Sequence, residues 1–227
     1  MNVSAEQFLS PEKMDTIKKR YGQAAYDRVQ QWMKLLNQKK LTSDTDKLKQ
    51  VNDFFNKVRF VSDIEHWKKQ DYWATPLEML ITNGGDCEDF SVAKYFSLRE
   101  MGMSMDKLRL TYVKALSINQ AHMVLSYFPD KNAEPLILDN FDTDIKPASE
   151  RKDLFPVYSF NGEDLWLSKD KSTQKWVGAG KSARMSLWQN LLKKYSDEMI
   201  QATEGKDKPG IQVKKSVSKK GEQHEPL

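Results

Sequence analysis

Cys87 lies in a short stretch whose residue types could support nucleophilic chemistry. The stretch, residues 81–96, reads ITNGGDCEDFSVAKYF and contains the only cysteine of the 227-residue chain. The glycine pair allows close approach or positive φ of the backbone, and the apolar-periodic run after it predicts a helix with Cys87 in its first turn. Free N–H groups and the positive end of the helix dipole favour a thiolate there. A lone cysteine is, however, often a small buried apolar residue, so both interpretations stay open.

A nucleophilic thiol needs a base, and the sequence offers three histidines. His224 lies in a lysine-rich tail, and His66 lies in a polar stretch between predicted helices, where solvent could surround it. His122 stands at the start of a predicted strand, in which alternation places it on one face with Val124 and Ser126. A histidine in a strand is often structural, so this position alone does not identify the base.

The following predicted strand ends in a carboxylate. The segment PLILDN places Asp139 directly after the apolar residues 136–138, and burying an unpaired carboxylate at such a point is costly. An imidazole on the neighbouring antiparallel strand is its natural partner, and the contact would orient that imidazole through its second ring nitrogen. Cys87, His122 and Asp139 therefore form a coherent Cys-His-Asp triad.

Three acids surround the cysteine, and they oppose thiolate formation by like-charge repulsion. Asp86 as a helix N-cap, with Glu88 and Asp89 in the first turn, satisfies the free donors and the helix dipole. That explanation suffices for any one of the three. A bound Ca²⁺ would remove the repulsion, because clustered carboxylate oxygens suit it. The spacing is not that of an EF-hand, so both interpretations remain.

Helices must position the cysteine, and strands must position the other two residues. Helical periodicity dominates residues 1–70, where Ser10 and Pro11 start a helix that Gly22 ends. A short helix follows Thr75, and the cysteine helix ends near Gly102. From 108 onwards the pattern changes to short β-rich runs. These predicted strands are residues 108–116, 121–128 and 134–141, and two more within 155–167 joined at Asn161-Gly162.

The order of elements predicts an α+β fold in one domain. Residues 1–203 would form this domain, with a helical N-terminal part (1–70), a catalytic core (71–167) and a closing helix (181–203). The lysine-rich residues 204–227 have little to bury and are predicted to be a flexible tail.

Composition excludes several other classes of protein. Hydrophobic residues make up 39% of the chain and charged residues 30%, with a net charge of +4. The sequence has no basic stripe with interleaved aromatics, so it does not predict a nucleic-acid partner. No apolar run approaches the ~20 residues of a membrane span. One cysteine and scattered histidines show no zinc-ligand spacing. The N-terminus has no signal-peptide pattern, so we expect either a cytosolic protein or a chain whose signal peptide has been removed.

Three motifs resemble those of the bacterial transglutaminase-like cysteine proteinases, the LapG family of periplasmic proteases. They are GGDCEDFSVAKYFSLREMG (84–102), QAHMVLSY (120–127) and LILDN (136–140), and DYWATPLEML (71–80) is similar too. The resemblance covers roughly residues 72–167. It implies a papain/transglutaminase-like fold, in which N-terminal helices and the cysteine helix pack on an antiparallel sheet. It also implies that Cys87 is the nucleophile, His122 the base and then the acid, and Asp139 the orienting group.

The resemblance also implies a biological role. Members of the family depend on calcium and cleave the N-terminal region of large surface adhesins at a di-alanine site, which releases the adhesin and disperses biofilm. They are inhibited by the periplasmic domain of an inner-membrane cyclic-di-GMP receptor of the LapD type. Asp86 and Glu88 match the acids that flank the family's cysteine, and Asp89 is a weaker ligand candidate because it could face away. The implied location is the periplasm, with the signal peptide removed.

Two alternatives remain open from the sequence. The same triad would serve a transglutaminase, in which an amine replaces water in the second half-reaction. A non-catalytic calcium-binding interaction module would require an inert Cys87. For the oxyanion hole, the backbone N–H of Cys87 is one expected donor; Tyr72 and Trp73 are candidates for the second, although core packing would explain each of them equally well.

Overall fold

The computed structural model describes residues 9–38, 43–170, 175–182 and 185–204. Within these residues the chain is α+β, as predicted, with helices preceding and following one antiparallel sheet. The predicted flexible tail lies outside the described residues apart from Glu204, and so does His224. The helices are α1 Pro11–Tyr21, α2 Gln23–Leu36, α3 Asp44–Phe55, α4 Asp63–His66, α5 Pro76–Thr82, α6 Cys87–Glu100 and α7 Ser186–Glu204.

The predicted helix signals of the N-terminal part act as expected. Ser10 caps α1 by accepting a hydrogen bond from the backbone N–H of Lys13 at 3.2 Å, and Gly22 ends the helix with a φ of 88°. Thr75 caps α5 in a capping box with Glu78. These local rules set the boundaries of α5, which contacts the cysteine helix, and of α1, which contacts α5.

The described part of the sheet has seven strands in the order β4-β3-β2-β1-β5-β6-β7, all antiparallel to their neighbours. Strand β2 pairs with β3 through Leu125 and Leu138, among other pairs. This register brings the start of β2 and the end of β3 close together, at the same end of the two strands. The strands are β1 Leu108–Ala115, β2 Gln120–Tyr127, β3 Leu136–Leu138, β4 Lys146–Pro147, β5 Leu154–Phe160, β6 Asp164–Asp170 and β7 Lys175–Lys181.

Helix α6 is the centre of the fold. Every residue from 89 to 98 is buried, because α6 contacts α3 and α5 on one side and β1 and β2 on the other. A single apolar face at helical spacing is therefore an incomplete description of it. Its polar residues are satisfied internally; Ser97, for example, accepts a 2.8 Å hydrogen bond from the indole N–H of Trp32. A helix held on all sides gives the residue at its N-terminus a fixed position.

The C-terminal region differs from the prediction. Residues 175–181 form β7, so the closing helix begins at Ser186 rather than near 181. Its Trp188 is fully buried and stacks on Phe96 of α6, with ring centroids 5.8 Å apart, and Tyr195 stacks on the same ring at 4.0 Å. These contacts attach α7 to the cysteine helix. Among the described residues, no helix is long and apolar enough to cross a membrane.

Candidate active site

Cys87 is the first residue of α6, as the sequence predicted, and Asp86 precedes it as the N-cap. The side chain of Asp89 folds back so that its Oδ2 accepts a hydrogen bond from the N–H of Asp86 at 3.3 Å. The Cys87 side chain is partly buried and faces a cavity of about 640 Å³, which is also lined by His122. The helix start thus presents the sulfur to this cavity.

The glycine pair before Cys87 serves close approach and not positive φ. A Cβ on Gly84 would lie 2.9 Å from the His66 ring, and one on Gly85 would lie 2.7 Å from the Asp89 side chain. Among described residues with positive φ, the one in this stretch is Asn83, at 54°. His66, whose Nε2 is 2.8 Å from Thr82 Oγ1, therefore packs against Gly84 and is partly buried rather than fully surrounded by solvent.

His122 and Asp139 form a buried pair. Nε2 of His122 donates to Oδ1 of Asp139 at 2.7 Å, and the two residues are 1% and 2% exposed. The same Oδ1 accepts from the backbone N–H groups of Asn140 and Phe141 at 2.6 and 3.1 Å. Since Nε2 is engaged, Nδ1 is the ring nitrogen left for proton transfer, and it has no hydrogen-bond partner within the described part of the chain.

Arg151 contacts the His122–Asp139 pair, and sequence analysis did not find it. Its Nη2 donates to Oδ2 of Asp139 at 2.7 Å, and its side chain is 3% exposed. Burial alone would raise the pKa of Asp139, but the hydrogen bonds from His122 and Arg151 outweigh it and hold that pKa well below its ordinary value. Asp139 is therefore ionised and locked, and no periodic or motif signal marks Arg151 as its partner.

The cysteine helix also forms hydrogen bonds to the two segments that contain His122 and Asp139. Ser91 Oγ donates to the backbone carbonyl of Met123 at 2.9 Å. Lys94 Nζ donates to the backbone carbonyl of Asp139 at 2.9 Å and to Asn52 Oδ1 at 2.8 Å. Burial lowers the pKa of Lys94 to about 7. In the sequence, a lysine within an apolar-periodic helix was the feature that could have indicated a buried polar contact at Lys94.

The thiol of Cys87 makes its hydrogen bond with Glu88, whose Oε2 is 2.8 Å from Sγ. Burial raises the pKa of the thiol well above its ordinary range, and the charges of Glu88 and Asp86 add to the rise, whereas the backbone of Met123 acts in the opposite direction. Met123 follows His122 in β2, so the sulfur lies against the histidine's strand. The acids around the cysteine thus have the opposing effect expected from the sequence.

The acids belong to a larger cluster that includes a carboxylate missed from the sequence, Asp63 of α4. Ligand oxygens of Asp63, Asp86 and Asp89 lie within 4.8 Å of one another, and those of Asp63, Asp71 and Glu88 do likewise. Asp63, directly after Ser62, has the pattern of an ordinary helix start. Asp89, the weaker ligand candidate from the sequence, does not face away from this cluster, because the third helical position points back toward the N-cap.

Two atoms of this cluster lack partners. Oδ1 of Asp63 and Oδ1 of Asp86 are buried without a hydrogen bond in the described residues. Burial raises the pKa of Asp63 to about 6, and burial together with Glu88 and Asp89 raises that of Asp86 to about 9. Asp89, which accepts from the N–H of Ala74 at 2.6 Å, also has a raised pKa, again through burial first. Such a set of oxygens is suited to a hard cation.

Of the two candidates for the second oxyanion donor, Tyr72 is engaged elsewhere. Its backbone N–H donates to Asp63 and its hydroxyl donates to Glu78. Trp73 is buried and lines the cavity that contains Cys87. The indole of Trp73 also has a partner, because it hydrogen-bonds to Asp71, but of the two residues Trp73 alone lines the cavity.

Comparison with known proteins identifies the family. A sequence model described as bacterial transglutaminase-like cysteine proteinase matches residues 17–177. No curated protein matches the chain significantly. Two solved structures of LapG from Legionella pneumophila are similar over 82% of this chain: the EGTA-treated protein, with 41% identity, a TM-score of 0.71 and 98% of its own length covered, and the calcium-bound protein, with 40%, 0.69 and 99%. This chain belongs to the bacterial transglutaminase-like cysteine proteinases and is a cysteine peptidase of the LapG type.

Proposed function

We propose that the protein is a calcium-dependent periplasmic endopeptidase that uses Cys87, His122 and Asp139 to cleave the N-terminal region of a large surface adhesin at a di-alanine site. The observation that carries the proposal is the buried His122–Asp139 pair, whose free Nδ1 belongs to a ring lining the same cavity as the cysteine. Membership of a peptidase family gives this arrangement its chemistry.

The reaction would proceed in two halves. Nδ1 of His122 takes the thiol proton as Sγ of Cys87 attacks the carbonyl carbon of the scissile bond. The same nitrogen then delivers that proton to the departing amine, which leaves a thioester on the enzyme. A water molecule, deprotonated by His122, attacks the thioester and releases the acid product and the thiol. Asp139 keeps Nε2 protonated and the ring oriented throughout.

The oxyanion formed in each half needs backbone donors. The N–H of Cys87 lies at the start of α6, where it has no partner inside the helix. The positive end of the helix dipole acts in the same direction. Because α6 is fixed by packing on all sides, this donor is preorganised for the transition state.

Calcium fits the acidic cluster beside the cysteine. The ion would be held by the unpartnered oxygens of Asp63 and Asp86 and by the carboxylate of Asp89. Glu88 is a further candidate ligand. When bound, calcium would neutralise the negative charge that opposes thiolate formation. The solved relatives include a calcium-bound and an EGTA-treated form, which supports calcium as the ion.

The substrate, the location and the regulation rest on resemblance to the LapG family. We infer that an adhesin is the substrate, that its cleavage releases it and disperses biofilm, and that the periplasmic domain of a LapD-type cyclic-di-GMP receptor is the inhibitor. A partly open cavity of about 640 Å³ beside Cys87 has room for a segment of the adhesin chain.

The test uses the wild-type chain and Cys87→Ala on an N-terminal adhesin fragment that contains a di-alanine site, in calcium and in excess chelator. We expect new peptide ends at the di-alanine site with the wild type in calcium alone. Undiminished cleavage by Cys87→Ala would refute the mechanism. An added amine incorporated without new peptide ends would identify a transglutaminase. No cleavage, combined with a thiol that resists alkylation in calcium, would favour a calcium-binding interaction module.

A further inference from the structure

Two large aromatic side chains stand half-exposed at the rim of the active-site cavity. Phe60 is 49% exposed and Phe141 is 51% exposed, their ring centroids are 5.6 Å apart, and both line the cavity that contains Cys87. We call these two residues the rim aromatics. Exposed adjacent apolar rings are unfavourable in water unless a partner covers them.

Phe141 stacks on His122, the proposed base. Its ring is stacked on the imidazole of His122, with centroids 4.4 Å apart and an angle of 5° between the planes. Phe141 follows Asp139 by two residues and donates its N–H to that carboxylate. The ring therefore shields one face of the imidazole from water, and its other face is directed away from the triad.

Phe60 continues the same surface on the side of the cysteine loop. It pairs with Gly85 in an isolated parallel bridge, and its side chain contacts Phe141. The sequence of rings His122, Phe141 and Phe60 thus leads outward from the base. The two steps, 4.4 and 5.6 Å between centroids, together approach the length of about three extended residues.

The chemistry determines which part of a substrate lies over these rings. The departing amine must come within hydrogen-bond reach of Nδ1 of His122, so the chain that follows the scissile bond starts at the imidazole. The acyl part is attached to Cys87 instead. A chain that leaves the imidazole along this row of rings would pass over Phe141 and reach Phe60 within its first three residues.

We propose that the rim aromatics form a subsite for the first three residues after the scissile bond and select apolar side chains there. The proposal rests on the endopeptidase function proposed above. The other walls of the cavity carry acids, among them Asp71 and Glu88, as well as further apolar side chains such as Trp73. The rim aromatics are half-exposed, so an apolar side chain that covers them gains by leaving water. Selection at this subsite adds to the di-alanine preference rather than replacing it.

The test compares two peptides that share one di-alanine site and differ only at the second and third residues after the scissile bond, which are both Leu or both Asn. These side chains have nearly the same shape and no charge. We expect the wild type in calcium to favour the Leu peptide about tenfold in kcat/KM. Phe60→Ala should reduce the ratio to about twofold, because it removes the outer ring without touching His122.

Phe141→Ala should lower the ratio too, and it should also lower kcat for both peptides because it uncovers His122. The matched control is Leu167→Ala, which removes a 51% exposed apolar side chain from β6 and should leave the ratio at its wild-type value. A ratio near one in the wild type, or an unchanged ratio in Phe60→Ala, would overturn the subsite while leaving endopeptidase activity intact.

A binding measurement separates the subsite from the reaction. The peptides are titrated into Cys87→Ala protein in calcium, and affinity is followed by calorimetry. The Leu peptide should bind more tightly, and Phe60→Ala in the same background should abolish the difference. Equal binding of both peptides would refute the subsite, even if the wild type cleaves neither peptide and the proposed function has failed.

Discussion

Arg151 and His122 bind opposite oxygens of the same carboxylate. Nη2 of Arg151 donates to Oδ2 of Asp139 and Nε2 of His122 donates to Oδ1, both at 2.7 Å. The guanidinium also contacts Asp153, at 2.8 Å. Asp139 can therefore neither rotate nor take up a proton without losing buried hydrogen bonds, and the orientation of the imidazole depends on a residue outside the triad.

Replacing Arg151 with Met should destabilise the protein by about 3 kcal/mol, because it leaves the buried carboxylate of Asp139 short of a partner. The loss should be largest and constant above about pH 5, and it should shrink as the pH falls below about 4, where Asp139 of the unfolded chain takes up a proton. The reason is that a carboxyl group with a depressed folded-state pKa contributes stability above its unfolded pKa and loses it as the pH falls. Denaturant unfolding across pH measures this.

The matched control is Lys146→Met, which removes the more exposed ion pair with Asp142. That pair should contribute no more than about 1 kcal/mol. Equal losses for Arg151→Met and Lys146→Met, at every pH, would show that the buried contact does not hold Asp139.

Replacing Asp139 with Asn should lower kcat by about 10²–10⁴-fold, because an amide no longer requires Nε2 of His122 to carry the proton. The measurement is peptide cleavage at saturating calcium, with thermal unfolding to confirm that the variant is folded. Asp142→Asn, in the same loop, is the control and should keep kcat within about twofold. Wild-type kcat in folded Asp139→Asn would remove Asp139 from the mechanism.

The pairing of His122 with Asp139 was predictable because its causes are local. A carboxylate at the end of an apolar strand needs a partner, and consecutive antiparallel strands supply one. The helix start at Cys87 was predictable for the same reason, from glycines and acids within a few residues. Patterns of this kind also located β1, β2, β3, β5 and β6.

Arg151 and Asp63 could not be found in this way. Each reaches the site through packing of segments distant in sequence, and locally each has the pattern of an ordinary turn or helix start. The complete burial of α6 could not be predicted either, because a helix that is buried on all sides has no amphipathic pattern. Strand β7 went unpredicted because glycines in KWVGAGK (175–181) weaken a strand pattern.

Calcium should raise the melting temperature of the wild type, and Asp63→Asn should abolish the rise. Ligand at 100 times its Kd stabilises by about 2.7 kcal/mol, or roughly 5–10 °C for a chain of this size. Asp63 is the discriminating position because it contributes to both groups of ligand oxygens. The measurement is a thermal melt with calcium or with chelator.

Two further variants locate the ion within the cluster. Asp130→Asn, in an exposed turn, is the control and should keep the full rise. Glu88→Gln should keep most of it if the ion lies between Asp63, Asp86 and Asp89, and lose it if the ion lies between Asp63, Asp71 and Glu88. A full rise in Asp63→Asn would exclude both positions.

Glu198 of α7 should make stability fall between pH 5 and pH 8. Burial and the charge of Glu78 raise its pKa to about 8, against the hydrogen bond from Thr75 and the charges of Lys194 and Lys13. A carboxyl group with a raised folded-state pKa contributes stability below its unfolded pKa and loses it as the pH rises through the folded value. Glu198→Gln keeps the neutral form, so it should match the wild type at pH 5.

At pH 8.5 the same variant should melt about 3 °C or more above the wild type, because the wild type must bury a charge that the amide lacks. Thr75 Oγ1 can still donate to the amide oxygen, as it does to Glu198 Oε1 at 2.9 Å. Asp197→Asn, on the neighbouring exposed position of α7, is the control and should show no such dependence on pH. If the melting difference between Glu198→Gln and the wild type is constant from pH 5 to pH 8.5, Glu198 is ionised throughout, and the contacts of Lys194 with Glu78 of α5 at 2.7 Å and with the backbone carbonyl of Trp73 at 2.8 Å hold α7 without a protonated Glu198.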